Sequence, residues 1–145
     1  MSSLLPPEHA KAMAAFDHVQ RTRLVFGNGS AARAGELAAE LSLKRILLVT
    51  DPGLVRAGHA ATVRESLEAA GLEVILFDAT IENPTTDCVE RCRRVARETG
   101  IDSFLGLGGG SSMDTAKGAN FLLTNGGRMQ DYWGVGLAKR AMLPL

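Results

Sequence analysis

Cysteine is almost absent: the 145 residues hold only Cys88 and Cys92. Four apart within a helical pattern, they suit neither a zinc-ligand pair nor the disulfide framework of a small secreted domain, and they read as reduced core thiols. An excess of charge of either sign is also missing, with 16 Lys and Arg against 16 Asp and Glu. A protein that grips nucleic acid through its phosphates needs a basic stripe, and a peripheral membrane protein needs a basic amphipathic face; a neutral total supplies neither. No apolar run approaches the roughly 20 residues of a membrane span. Met1 to Phe16, interrupted by Pro6, Pro7, Glu8 and Lys11, lacks the continuous apolar segment of a secretory signal. The expected location is therefore cytoplasmic. Histidine is scarce as well: His9, His18 and His59 lie in the N-terminal half, share no helical face, and read as surface or packing residues.

What is present is the composition of a packed domain, 46% hydrophobic and 22% charged, far from the polar signature of disorder. A chain of this length buries roughly 68–70% of its unfolded surface, enough for one domain. Glycine supplies the punctuation. Arg23 to Phe26 runs into Gly27-Asn28-Gly29, followed by a helical segment from Ala31 to Leu43. Arg45 to Thr50 is a short aliphatic strand ending at Asp51-Pro52-Gly53, and an amphipathic stretch from Val55 to Ala70 stops at Gly71, a natural C′ residue. Glu73 to Phe77 is the next strand. Past Asn83-Pro84 a helix spans Thr86 to Thr99, with Val89, Cys92, Val95 and Ala96 on one face and Arg91, Arg93, Arg94 and Arg97 on a solvated one. Ile101 to Leu107 then runs into Gly108-Gly109-Gly110. Short apolar runs alternating with helices of ten to fifteen residues are consecutive βαβ units. The fold class is α/β, a doubly wound, Rossmann-like parallel sheet covered on both faces, and in such sheets ligands bind at the carboxyl ends of the strands.

Two glycine-rich turns compete there for a phosphate-binding role. Gly27-Asn28-Gly29-Ser30-Ala31-Ala32 matches G-x-G-x-x-A between a strand and a helix, with Asp51 about twenty residues on; a tight turn without a ligand explains the same residues. The second turn, Gly108 to Gly110, continues into Ser111-Ser112-Met113-Asp114-Thr115-Ala116-Lys117. Successive glycines let the backbone approach a ligand closely and turn several N–H groups toward one point. Ser111 and Asp114 have the spacing of a capping box, so the helix N-terminus faces the same point and favours an anion such as a pyrophosphate. Lys117 contacts a cofactor oxygen or pairs with Asp114. Asp51 either accepts from both ribose hydroxyls, which selects NAD over NADP, or opens an Asp-Pro-Gly turn. Asn83 either reads the adenosine through its amide or belongs to an ordinary turn.

The string G-G-G-S-S-M-D-T-A-K resembles the G-G-G-S-x-x-D-x-A-K motif of the iron-containing (group III) alcohol dehydrogenases. R-L-V-F-G-N-G-S, L-L-V-T-D-P-G, E-N-P-T and D-Y-W-G follow in the order of that family, and the resemblance covers the chain from about Arg21 onward. It implies a dehydroquinate synthase-like N-terminal domain in which the triple-glycine turn holds the pyrophosphate of NAD and the strand-end carboxylate holds the ribose. Carried over by position, it implicates Asp51, Asn83, Gly108, Gly109, Gly110, Ser111, Asp114 and Lys117, and makes Gly27 and Gly29 a structural turn. The resemblance also implies a divalent metal, Fe or Zn, in the intact protein, held by an Asp and three His of a helical domain to which no histidine here corresponds. The expected organisation is an N-terminal extension over residues 1–20 and a dinucleotide-binding domain over 21–145, cut near its last strand, since Ala141 to Leu145 reads as the start of a further buried strand. The expected activity of the intact protein is oxidation of a small alcohol to an aldehyde or ketone, with possible homo-oligomers; the chain alone is expected to bind nucleotide without catalysis. The competing expectation is a self-standing nucleotide-binding or interaction module.

Overall fold

A computed structural model describes residues 22–145. The expected extension over residues 1–20, with His9 and His18, lies outside them. The elements are α1 (Ala34–Glu40), β1 (Arg45–Val49), α2 (Pro52–Arg56), α3 (His59–Ala69), β2 (Glu73–Phe77), α4 (Thr86–Thr99), β3 (Ser103–Gly106) and α5 (Gly110–Asn125). Among the described residues the strands form one parallel sheet in the order β2-β1-β3, with Leu48 opposite Leu76 on one side and Leu105 on the other. The chain thus steps outward from β1 to β2 and crosses back to β3 on the far side. That reversal opens a crevice at the strands' carboxyl ends, the place where open α/β sheets bind ligands.

Alternation along β1 sends its side chains to two cores. Leu47 and Val49 pack with Phe77, Phe104, Cys92, Ala116 and Leu122 under α4 and α5, whereas Ile46 and Leu48 pack with Val63, Leu67 and Ala38 under α1 and α3. Both faces of the sheet are covered, as the apolar runs require. Small residues bring the helices close: a Cβ on Gly118 of α5 would lie 3.1 Å from Val89 Cγ1 of α4, and one on Gly35 of α1 would lie 2.0 Å from Ser66 O of α3. Ser66 itself joins these elements, its Oγ accepting from Gly35 N at 2.9 Å and donating to Ala32 O at 2.6 Å.

Several expectations change. Arg23 to Phe26 forms no strand; Leu24 and Phe26 are 79% and 96% exposed, with no neighbouring strand among the described residues to pair them. The helix expected from Ala31 opens instead with a 3-10 turn over Ser30–Arg33 and ends at Glu40. The stretch from Val55 to Ala70 is two helices, because Gly58 adopts φ 82 and caps α3 in the left-handed conformation. Ala141 to Leu145 is mostly exposed rather than buried. It nevertheless starts along the free edge of β3, where Phe104 N donates to Pro144 O at 2.9 Å. Two amides of α5 fix this segment. Asn120, fully buried, donates from Nδ2 to Leu143 O at 2.9 Å and accepts from Leu143 N at 3.0 Å, and Asn125 Oδ1 accepts from Lys139 N and Arg140 N.

Candidate functional site

The crevice holds a polar cleft of about 560 Å³, within the roughly 300–1,000 Å³ range of small-molecule sites. Its walls are Asp51, Gly53 and Arg56 after β1, Thr80 to Glu82 after β2, and Gly109 to Ser112 after β3. An apolar cleft of about 360 Å³ beside the starts of β1 and β3, lined by Val25, Leu37, Leu41, Ile46 and Phe104, lacks convergent polar groups and offers little to orient a ligand.

Each wall of the polar cleft follows from local chemistry. Asp51 is the N-cap of α2, with Pro52 at the first helical position, where its fixed φ suits a helix start. Asp51 Oδ1 accepts from Gly53 N at 2.8 Å and Leu54 N at 3.1 Å, so the carboxylate does hold the Asp-Pro-Gly turn. Both bonds fall on one oxygen, and Oδ2 is left for another donor.

On the opposite wall α5 starts at Gly110 with Gly109 as N-cap and no side chain capping it. The capping box expected of Ser111 and Asp114 does not form. The helix begins two residues too early for it, and Ser111 Oγ accepts instead from Asn83 N at 3.3 Å. The first N–H groups of a helix have no intrahelical acceptor, so those of Gly110, Ser111 and Ser112 face the cleft uncapped, at the positive end of a 16-residue helix. The three glycines differ. Gly108 has φ 137, and a Cβ there would meet Ser112 Oγ at 2.8 Å and Leu54 Cδ1 at 3.0 Å; Gly109 and Gly110 have nothing within 4 Å. Gly108 is required by the fold, whereas the other two keep open a space that the protein itself does not fill.

The remaining candidates stand apart. Asn83, with φ 49, lines a second cleft with Thr85, Val89, Asp114 and Gly118. Asp114 and Lys117 line a third with Phe121, Met142 and Leu145. Among the described residues no ion pair joins Lys117 to Asp114. The eight candidates therefore surround the first turns of α5 without sharing one cavity. Gly27 and Gly29 form a turn closed by Ser30 N donating to Gly27 O at 3.2 Å, away from the polar cleft. Thr80 and Glu82 line that cleft from Asp78 to Thr85, a strand-end stretch where a ligand is expected, although neither was singled out; Arg56, in the last turn of α2, is unanticipated.

A dinucleotide fits this donor set: open space over Gly109 and Gly110, uncapped helix N–H groups, and a strand-end carboxylate with one oxygen unused. A metal does not, since no group of three or more His, Cys, Asp or Glu that could hold one occurs among the described residues. No helix among them is long and apolar enough to cross a membrane.

The family model for iron-containing alcohol dehydrogenase matches residues 21–145. Alcohol dehydrogenase 4 of Schizosaccharomyces pombe is 37% identical over 121 residues, which is 83% of this chain and 29% of that protein. The solved alcohol dehydrogenase from Oenococcus oeni superposes with a TM-score of 0.83 at 29% identity, over 90% of this chain and 34% of that one. The sulfoacetaldehyde reductase from Bifidobacterium kashiwanohense, solved in complex with NAD+, gives 0.76 at 26% identity, over 88% and 33%. This chain thus spans about a third of the length of the proteins it matches. It belongs to the iron-containing alcohol dehydrogenase family.

Proposed function

We propose that this chain is the cofactor-binding part of an NAD-dependent alcohol dehydrogenase. In that enzyme NAD, when bound, would accept hydride from the carbon of a small alcohol while the hydroxyl proton leaves to solvent, yielding an aldehyde or ketone. The observation that carries this reading is the uncapped N-terminus of α5 over the open glycines Gly109 and Gly110, facing the Asp51 carboxylate across one cleft. The backbone N–H groups of Gly110, Ser111 and Ser112 hold the pyrophosphate, where the helix dipole favours negative charge. Asp51 Oδ2 accepts from a ribose hydroxyl and repels a 2′-phosphate, so the cofactor is NAD. Asn83, Asp114 and Lys117 flank the same helix end and bind the parts of the cofactor that extend past this cleft; Gly108 permits the turn that aims α5.

Residues 21–145 form the nucleotide domain, and the metal ligands lie outside this chain; relatives about three times as long support that division. The chain alone therefore binds nucleotide without turning over alcohol. Two free, buried cysteines accord with a reducing, cytoplasmic compartment, and the exposed Leu24, Phe26, Trp133 and Val135 favour association with further copies. Titrating NADH fluorescence against the 145-residue chain should give saturable binding, and adding ethanol, NAD and Fe(II) or Zn(II) should give no turnover. Absence of binding refutes the nucleotide reading; turnover refutes the division of labour.

A further inference from the structure

Beside the polar cleft a hydroxyl is buried with nothing to bond. Thr80 follows β2, is 3% exposed, and lines the cleft between Asp51 and Arg56 on one wall and Gly109 to Ser112 on the other. Its backbone is anchored, since Thr80 N donates to Thr50 O at 3.3 Å, yet Thr80 Oγ1 has no hydrogen-bond partner among the described residues. Thr50 Oγ1 shares that condition, but Thr50 does not line the cleft.

A threonine hydroxyl carries one donor and two acceptor lone pairs, and burial without a partner carries a desolvation penalty that an isosteric valine would avoid. An unsatisfied buried group at the edge of an open cleft calls for a partner that the protein alone does not supply. The surroundings define that partner's charge. Arg56 makes no ion pair among the described residues, and the first N–H groups of α5 are uncapped; both favour an anion. Asp51 and Glu82 oppose one on their own sides, which confines the anion to the space between Thr80, Arg56 and the helix end. A phosphate oxygen is an acceptor only and matches the donor that Thr80 has to give.

We propose that Thr80 is a ligand-contacting residue, its Oγ1 donating a hydrogen bond to a diphosphate oxygen of the bound nucleotide. This rests on the nucleotide reading of the same cleft and extends the site to the loop after β2.

The test uses Thr80→Val and Thr80→Ser in the 145-residue chain, titrated with ADP, NADH and adenosine. Valine should weaken ADP and NADH by roughly tenfold, the value of one net hydrogen bond, while serine stays within about twofold and adenosine, which has no phosphate, is unaffected. Without nucleotide, Thr80→Val should melt at the same temperature or a few degrees higher. Unchanged ADP affinity in Thr80→Val, equal losses for adenosine and ADP, or a lowered melting temperature of the free variant would each overturn the assignment. A wild-type chain that binds none of the three would overturn the nucleotide reading itself.

Discussion

Gly108 and Gly109 are adjacent and chemically identical, yet alanine should act on them in different ways. At Gly108 the backbone has φ 137, and a Cβ would stand 2.8 Å from Ser112 Oγ and 3.0 Å from Leu54 Cδ1. A non-glycine residue held in such a conformation costs on the order of 1–3 kcal/mol, before the displacement of Leu54 is counted. At Gly109 the backbone is φ −81 and ψ −165, open to any residue, and a Cβ meets nothing within 4 Å. Alanine there restricts the unfolded chain, a gain of about 0.4–1 kcal/mol, but it is a poorer N-cap than glycine by a similar amount, so stability changes little. Each kcal/mol moves the melting temperature of a domain near this size by roughly 2–4 °C, so Gly108→Ala should melt several degrees lower and Gly109→Ala close to wild type. At Gly109 the effect falls on affinity: the added methyl occupies the space through which a pyrophosphate reaches the helix N–H groups, and NADH should bind at least roughly tenfold more weakly, a loss of about 1.4 kcal/mol or more. Differential scanning fluorimetry with and without NADH reads both effects. A Gly109→Ala protein that binds NADH as wild type does, or a Gly108→Ala protein that melts as wild type does, would refute the division between a glycine kept for the fold and one kept for the ligand.

Asparagine is as good an N-cap as aspartate, so Asp51→Asn should leave stability within about 0.5 kcal/mol while raising the affinity for NADP relative to NAD; a ratio that stays fixed in competition titrations would remove Asp51 from ribose selection. Asn120→Ala deletes both bonds that hold Leu143 and leaves a hole in a fully buried position, which should cost about 2–4 kcal/mol in urea denaturation; a loss under 0.5 kcal/mol would show that the 139–143 segment is held by other contacts. Burial, with a smaller contribution from the neighbouring Cys88 thiol, pushes the Cys92 thiol up from 9.0 to about 12. Because the folded value is the higher one, the stability it contributes is intact below pH 9 and is lost as pH rises towards 12. The folded chain should thus resist iodoacetamide at Cys92 at pH 8 and lose stability above pH 9, and fast alkylation of Cys92 without unfolding would contradict its burial.

Local signals agree in the elements that the sequence discloses most fully. For α4, Thr85 Oγ1 accepts from Cys88 N at the start, an apolar face runs through Val89 and Cys92, and Gly100 at φ 60 ends the helix; the expected span matches. Strands β1 and β2 are legible because a parallel sheet buried on both faces demands continuous aliphatic runs. Leu24-Val25-Phe26 has the same composition and no strand beside it, so composition alone misleads there. Gly58 could have been read as a break, but a glycine inside a long amphipathic stretch carries no sign of whether its φ will be positive. The walls of the candidate cleft were legible in Gly109, Gly110 and Asp51, which follow from strand-end placement. The cap of α5 was not, since Ser111 chose the backbone of Asn83, 28 residues away in sequence, over its own helix. Asn120 was equally hidden, and Thr80, though inside the strand-end stretch Asp78 to Thr85, carried no signal of its own: each is an ordinary polar residue until tertiary packing removes its water.

The proposed role of this chain requires a dinucleotide to bind over the start of α5. Backbone amide chemical shifts of the isotopically labelled chain, followed during titration with NAD, test it most directly. The largest changes are predicted at Gly109, Gly110, Ser111 and Ser112, with Gly53 and Thr80 next and saturation at one equivalent per chain. Changes centred instead on Gly27 to Ala31 or on the apolar cleft around Leu37 and Phe104, or no changes at millimolar NAD, would contradict it.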